Sequence, residues 1–191
     1  MGYSILLPTK QLEKPTLALL KSAGISVTRK RKRSIRSRIL GIDGLTVGIH
    51  CRTDVIPILL SDDYSGVASM GITTTDVIDE HDAQKIEVIA RLNISRASQG
   101  DTRIVFFGPS YGANTIHETR DYDEEKEGVP RVATEYPEKT RAFLKSHGMD
   151  FPMRTVRGCA EVLVNERVCR YGVTLVETGT TLKVNGLKEI A

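Results

Sequence analysis

The chain has 191 residues, of which 40% are hydrophobic and 27% are charged, a balance typical of a globular, soluble protein. It contains no run of about 18 apolar residues, so the sequence predicts no membrane span. The N-terminus lacks the basic start and apolar run of a signal peptide. The three cysteines (Cys51, Cys159 and Cys169) form no CxxC pair and suggest neither a disulfide framework nor a zinc site. We therefore expect a cytoplasmic protein.

Charge is unevenly distributed along the chain, although the formal net charge of +3 gives no argument for nucleic acid. The segment 29–38 (RKRKRSIRSR) carries seven basic residues in ten, whereas 117–128 (HETRDYDEEKEG) is mostly acidic. We expect the acidic segment to be a solvated loop. The basic segment lacks the interleaved aromatic residues that stack on bases, and it could equally bind the phosphates of a small polyanion.

The first half of the chain predicts alternating strands and helices. A buried strand at 3–7 precedes a helix at 11–25, with Pro15 in its first turn and Gly24 as its stop. A hairpin with a two-residue turn is predicted at Asp43-Gly44. Three further elements follow: a short helix at 53–63 capped by Thr53 or Asp54, a small strand at 66–72, and a helix that opens at 73.

The second half continues the alternation, which favours an α/β fold with largely parallel sheets. Strands are predicted at 85–92 and 102–108, and the first of these could cross between two lobes. After a loop from Pro109 to about Pro130, the predicted elements are a strand at 130–136, a helix at 137–148, a strand at 153–158, a helix at 159–168, a strand at 171–176, and a final helix at 180–191.

The turn Thr178-Gly179-Thr180-Thr181 lies between the last predicted strand and the last predicted helix. Such a turn presents backbone N–H groups in one direction, and threonine hydroxyls add further donors for a phosphate. Gly179 permits close backbone approach or a positive φ. On the turn alone, an ordinary helix cap by threonine is the better interpretation.

Six segments, in order and along nearly the whole chain, resemble the ATP phosphoribosyltransferase family, which opens histidine biosynthesis. The most specific are ATEYP followed by a helix, the segment 158–161, and TGTTLKVNGL. All six are LLPTKQLEKPTLALLKSAGI, CRTDVIPILL, GITTTDVIDE, VPRVATEYPEKTRAFLKSHGM, VRGCAEV and LVETGTTLKVNGL.

The resemblance implies an α/β fold with two lobes around a cleft, similar to type II periplasmic binding proteins. Lobe I would comprise residues 1–93 plus 178–191, and lobe II residues 94–177. The implied reaction joins the phosphoribosyl group of 5-phosphoribosyl diphosphate (PRPP) to N1 of the adenine of ATP and releases diphosphate, with Mg²⁺ as cofactor. The resemblance also implies an oligomer that works with a separate regulatory subunit, and it makes nucleic acid and membranes unexpected partners.

The resemblance also implies roles for individual residues. The turn Thr178-Gly179-Thr180-Thr181 would hold the 5-phosphate of PRPP. Lys10, Arg52, Thr134 and Tyr136 would bind ATP. Glu161 and Glu177 would be the catalytic acids, and no metal ligand is assigned. Simpler roles exist for some of them: Glu161 could complement a helix dipole, and Tyr136 could be a packing residue.

The chain departs from the family pattern at three places. The first loop, usually Pro-Lys-Gly-Arg-Leu, is Pro8 to Leu12 here, with a lysine only at Lys10. The segment 69–74 lacks an acid and a glycine. Arg170 and Thr174 stand where the family carries two acids before the phosphate turn, and Glu177 could take over part of the second acid's role.

Three interpretations stay open. The chain is a divergent enzyme that joins PRPP to ATP, or a paralogue in a nucleoside natural-product pathway of the coformycin type, or a non-catalytic nucleotide-binding subunit. The phosphate turn favours the first two, and the lost acids favour the second and third. A nucleic-acid binder, which rests on the segment 29–38 alone, is a distant fourth.

Overall fold

The structure is a computed structural model that describes residues 3–29, 36–40, 42, 45–61, 70–81, 85–92, 94, 102–124 and 131–191. For residues 29, 36–38 and 121–124 it describes the backbone only. The chain divides into two compact units, Met1–Gln99 (unit 1) and Gly100–Ala191 (unit 2).

Unit 1 is a five-stranded sheet with helices. The strand order is β2-β3-β4-β1-β5, in which β2, β3 and β4 are antiparallel and β4, β1 and β5 are parallel. Its core contains Ile5, Leu7, Leu20, Ile39 and Val47. The elements are β1 (Tyr3–Pro8), α1 (Glu13–Ser22), β2 (Val27–Arg29), β3 (Arg36–Ile39), β4 (Leu45–His50), α2 (Val55–Leu60), β5 (Met70–Gly71) and α3 (Thr75–Ile78).

Unit 2 is a second five-stranded sheet, in the order β10-β6-β9-β7-β8. β10, β6 and β9 are antiparallel, whereas β9, β7 and β8 are parallel. The elements are β6 (Arg103–Pro109), α4 (Ile116–Glu124), β7 (Val132–Thr134), α5 (Pro137–Ser146), β8 (Met153–Thr155), α6 (Ala160–Asn165), β9 (Tyr171–Val176), α7 (Thr180–Val184) and β10 (Leu187–Glu189).

The sheet of unit 2 has a hydrophobic core on each face, because the apolar residues of β6 and β9 alternate between the two. Val105 and Phe107 pack with Val176 and residues of α6 and α7, whereas Phe106 and Val173 pack on the other side with α5. Gly172 is required where β9 passes Phe107, since a Cβ there would lie 2.2 Å from the ring. Two buried faces explain why β6 and β9 are almost continuously apolar.

Several predicted elements are confirmed. The α/β class and the strands β1, β6, β7, β8 and β9 agree with the sequence analysis. Helix α5 begins at Pro137 and is followed by Gly148 with φ +69°, as expected of a proline start and a glycine stop. Helix α1 likewise contains Pro15 in its first turn and is followed by Gly24 with φ +78°.

Four predictions about the elements are wrong. The sheets are mixed, with two antiparallel and two parallel pairings in each, rather than largely parallel. Residues 85–92 form no strand, and the side chain of Ile89 is 80% exposed. The acidic segment is largely helix α4, whose first turn is capped because Thr115 Oγ1 accepts the N–H of Glu118. The final predicted helix ends at Val184 and is followed by β10.

The N-terminal half also differs in local detail. β3 and β4 pair antiparallel as the hairpin predicts, but Arg38 pairs with Thr46, which is not the register of a two-residue turn at Asp43-Gly44. The two turn residues lie outside the described part, as do residues 30–35 of the basic segment. Helix α2 begins after a short 3-10 turn, Arg52–Asp54, and no side chain caps it.

The division of the chain differs from the expected lobes in its last residues. We expected 178–191 in lobe I with 1–93, whereas the structure places α7 and β10 in unit 2. The cause is the pairing of β10 with β6, in which Leu187 lies opposite Pro109 and Glu189 opposite Phe107. These pairings complete the sheet that also carries β9.

Candidate functional site

The carboxyl ends of three neighbouring strands meet at one edge of the unit 2 sheet. β9, β7 and β8 run parallel, and Thr134 lies opposite both Val173 and Thr155. Loops that leave the same end of parallel strands lie together, and ligands of open α/β sheets bind there. Three of the predicted segments follow these strands: 135–136 after β7, 156–161 after β8 and 177–181 after β9. We call these segments the carboxyl edge of unit 2.

The turn after β9 has the backbone expected of a phosphate cradle. Gly179 has φ +72° and ψ 0°, a left-handed conformation that glycine adopts without strain. The hydroxyls of Thr178 and Thr180 are 2.9 Å apart and hydrogen-bonded, and both side chains are exposed, as is that of Thr181. Donors therefore face solvent here, while Gly179 itself is buried.

The two predicted catalytic acids lie on this edge. Glu161 is in the first turn of α6, after Gly158 and Cys159, which both have positive φ (95° and 61°). Glu177 directly follows β9, and its Oε1 is buried with no hydrogen-bond partner among the described residues. A buried acceptor without a partner costs free energy, and no hydrogen bond from the described residues offsets that cost at Glu177.

The structure does not expose Thr134 or Tyr136. The Thr134 hydroxyl is fully buried, lies 2.8 Å from the Thr140 hydroxyl, and accepts the Tyr136 N–H at 2.8 Å. The side chain of Tyr136 is 1% exposed and packs in the core against α5. Both residues therefore contribute to the packing of the loop after β7, and their assignment to ATP binding stays a prediction.

The two positions where acids are expected lie on or beside β9. Thr174 is 4% exposed and pairs with Val105 of β6. It lies on the same face of the sheet as Gly172 and Val176, the face that carries α6 and α7. Arg170 precedes the strand, with its guanidinium 6.0 Å from the centre of the Tyr111 ring, a weak cation–π distance.

In unit 1, Lys10 and Arg52 follow the parallel strands β1 and β4, whose ends pair at Pro8 and His50. Thr74 follows the next parallel strand, β5. These residues thus lie at the carboxyl edge of the unit 1 sheet. Lys10 is exposed and has φ 60°, so the loop after β1 turns sharply at this lysine.

Arg52 is partly buried and ion-paired. Its Nη1 lies 2.5 Å from Asp76 Oδ2 and donates to Thr74 Oγ1 at 3.1 Å, and the hydroxyl of Thr73 donates to the Arg52 carbonyl at 2.8 Å. The Arg52 and Asp76 side chains are only 15% and 17% exposed. These bonds tie the loop after β4 to the loop after β5 and fix the direction of the guanidinium.

A second ion pair, which the sequence did not predict, lies near the turn after β9. Arg103 of β6 donates to both carboxylate oxygens of Glu189 of β10, at 2.8 and 2.6 Å. Glu189 Oε1 lies 2.9 Å from the position that a Cβ of Gly179 would occupy. No local pattern could reveal this contact, because Arg103 and Glu189 are 86 residues apart in sequence.

The described residues contain no group of three or more His, Cys, Asp or Glu side chains that could hold a metal ion. All three cysteines are free thiols, and burial raises the pKa of the Cys169 thiol. Within the ranges that the structure describes, no helix is long and apolar enough to cross a membrane.

A comparison with protein families matches residues 52–191 to the model described as HisG: ATP phosphoribosyltransferase. The chain belongs to the ATP phosphoribosyltransferase family. The match extends from the Arg52 loop of unit 1 to the end of β10, and it therefore includes every segment of the carboxyl edge of unit 2.

Individual relatives agree with this assignment. The chain is 32% identical to an ATP phosphoribosyltransferase of Methanosarcina acetivorans over 190 residues and 32% identical to that of Methanopyrus kandleri over 188 residues. These alignments cover 97% and 98% of this chain but 59% and 60% of the relatives, so the chain spans about three fifths of the curated proteins it matches.

A solved structure shares the fold. The ATP phosphoribosyl transferase (HisG:HisZ) complex of Thermotoga maritima contains a chain that superposes with a TM-score of 0.70 at 25% identity. The superposition covers 100% of this chain and 82% of that one.

Proposed function

We propose that the chain transfers the phosphoribosyl group of PRPP to N1 of the adenine of ATP, the first step of histidine biosynthesis. The observation that carries the proposal is the turn Thr178-Gly179-Thr180-Thr181. It has the left-handed glycine and exposed hydroxyls of an anion cradle and lies in the part of the chain that matches the family. The turn after β9 would hold the 5-phosphate.

In the reaction, the bond between C1 of the ribose and the diphosphate oxygen breaks, and a bond from C1 to N1 of adenine forms. Positive charge develops on the ribose ring as diphosphate leaves. Glu161 and Glu177 lie on the same edge as the turn, and we assign to them the electrostatic stabilisation of that charge. The rest of the catalysis is positioning of the two substrates.

For ATP, we retain Lys10 and Arg52 of unit 1 as phosphate ligands. Lys10 is exposed, so its ammonium group is accessible to a phosphate. Arg52 is held by Asp76 and Thr74, so its guanidinium is preorganised but would share its donors with a ligand. The buried positions of Thr134 and Tyr136 give them a supporting role at the loop after β7.

Mg²⁺ would enter with PRPP and neutralise the leaving diphosphate. Because Mg²⁺ usually binds through one or two carboxylates plus substrate phosphates, a dedicated cluster of acids is not needed. The free Oε1 of Glu177 fits such a role. We further propose a cytoplasmic oligomer with a separate regulatory subunit, a proposal supported by the name of the Thermotoga maritima complex.

The decisive experiment mixes the protein with PRPP, ATP and Mg²⁺ and follows the phosphoribosyl-ATP adduct by absorbance and mass, with and without added regulatory subunit. Formation of the adduct supports the proposal. If PRPP and ATP bind by calorimetry but no adduct forms in either condition, the chain is a nucleotide-binding subunit. That second function is favoured by Arg170 and Thr174 standing where the family has acids.

A further inference from the structure

A carboxylate lies close to Gly179 of the proposed phosphate turn. Gly179 is buried although the threonines around it are exposed, and Glu189 Oε1 lies 2.9 Å from where its Cβ would be. The next atom that such a Cβ would meet, Val176 Cγ1, is 3.9 Å away. Among the described atoms outside its chain neighbours, Glu189 Oε1 is therefore the nearest to the Cβ position of Gly179.

Arg103 fixes that carboxylate in place. One nitrogen of Arg103, Nη2, donates to both oxygens of Glu189, at 2.8 and 2.6 Å, and this charge-assisted contact restricts where the carboxylate can lie. Arg103 lies opposite Val176 in the sheet, directly beside the end of β9 from which the turn leaves. Its cation also neutralises a carboxylate that would otherwise repel a phosphate on the turn.

We propose that Arg103 and Glu189 are a positioning pair for the phosphate turn Thr178-Gly179-Thr180-Thr181. Glu189 supports the turn at Gly179, and Arg103 holds Glu189 in its supporting orientation and cancels its charge. Neither residue touches the phosphate. The proposal rests on the proposed function for the identity of the ligand, but the contact with the turn is independent of it.

The Arg103–Glu189 pair should contribute little to the free energy of unfolding, so its effect on PRPP binding can be measured separately from its effect on stability. The Arg103 and Glu189 side chains are 51% and 34% exposed, and exposed ion pairs contribute little to the free energy of unfolding. The cost of breaking the pair should therefore appear in PRPP affinity and in the local order of the turn, rather than in whole-protein unfolding.

The variants are Arg103→Gln, Glu189→Gln and the double variant. Each single variant should raise the KM for PRPP by about tenfold and change the KM for ATP by less than about twofold, because the pair lies beside the turn after β9 that we assign to PRPP. The double variant should be no worse than the worse single variant, as expected of two residues that act as a unit. Glu166→Gln and Arg167→Gln provide matched controls, since they make the same charge changes at exposed residues beyond the C-terminal end of α6.

Three kinetic results would overturn the proposal. If the two single variants change the KM for PRPP in opposite directions, the groups act by charge alone. If the KM values for PRPP and ATP rise together, the effect is general destabilisation. If the controls at Glu166 and Arg167 reproduce the effect, the position of the charges is irrelevant.

Hydrogen exchange of the ligand-free protein separates this proposal from the proposed function. The N–H of Lys183, which donates to the Gly179 carbonyl at 3.1 Å, should exchange at least about fivefold faster in both single variants than in the parent chain. Unchanged exchange overturns the support of the turn by the pair. If the parent chain neither binds PRPP nor forms the adduct, the proposed function and the ligand fail, while faster exchange would still confirm the support of the turn.

Discussion

Replacing Gly179 with alanine should perturb the proposed phosphate turn in two distinct ways, through the backbone conformation and through a steric conflict with Glu189. The backbone at Gly179 has φ +72°, where an L-residue is less stable than glycine by about 1–2 kcal/mol. The new Cβ would also lie 2.9 Å from Glu189 Oε1, so the Glu189 side chain must move away from Arg103 or the turn must shift.

Gly148→Ala is the matched control for the backbone term. Gly148 has φ +69°, and a Cβ added there meets no atom within 4 Å, so only the conformational cost remains. We expect Gly148→Ala to lower the free energy of unfolding by about 1 kcal/mol, and Gly179→Ala to lower it by about 2–3 kcal/mol. Urea unfolding of both variants measures these values.

Binding distinguishes the two glycines more sharply than stability does. Gly179→Ala should weaken PRPP binding by at least about tenfold, equivalent to about 1.4 kcal/mol, because it displaces the turn that we propose holds the 5-phosphate. Gly148→Ala, at the C-terminal end of α5, should leave it unchanged. Calorimetric titration with PRPP and Mg²⁺ reports both. Equal stability losses in the two variants together with unaltered PRPP binding would refute the assignment of the turn.

Two further predictions concern the other predicted ligands. Thr134→Val should lower the free energy of unfolding by about 1–3 kcal/mol, because the buried Tyr136 N–H loses its acceptor, and Thr134→Ser should restore most of it in the same urea titration. Asp76→Asn should raise the KM for ATP several-fold with the KM for PRPP unchanged, because the Arg52 guanidinium loses the carboxylate 2.5 Å away that directs it. A change in the KM for PRPP alone would contradict the assignment of Arg52 to ATP.

The fold was predictable where a buried apolar run and a local stop signal coincide. β9 and α5 agree with the sequence analysis because one is a continuous apolar run and the other begins at Pro137 and ends before Gly148. The sequence of the last predicted helix also contains a stop signal, Gly186, which the prediction did not take into account. Gly186 lies two residues after Val184 and has φ +66°, and a glycine with positive φ is a typical end of a helix. The chain then continues as β10, in which Leu187 pairs with Pro109 of β6.

Other features could not be predicted from a single sequence, because they depend on contacts between distant residues. Residues 85–92 have the composition of a strand, but a strand needs a neighbour, and pairing is a tertiary property. The same limit applies to the candidate site. The order of the segments predicted which loops form the candidate site, whereas the burial of Tyr136 and the proximity of Glu189 to Gly179 depend on packing between distant residues.

The position of Thr174 explains why the chain departs from the family pattern before the proposed phosphate turn. Its side chain is 4% exposed on a face filled by Val105, Val176 and the helices α6 and α7, where an unpaired carboxylate would be costly to bury. In this chain β9 therefore contributes packing at that position and supplies no acid. Under the proposed function, the role of the missing acid would fall to a residue outside the strand. Glu177, the first residue after β9, meets this condition with a buried Oε1 that has no hydrogen-bond partner among the described residues. Under the proposed function, a cation bound at the carboxyl edge of unit 2 would pair with that oxygen. Binding would then remove the cost of leaving the Glu177 oxygen unpaired, and Glu177 would in turn strengthen the binding of the cation.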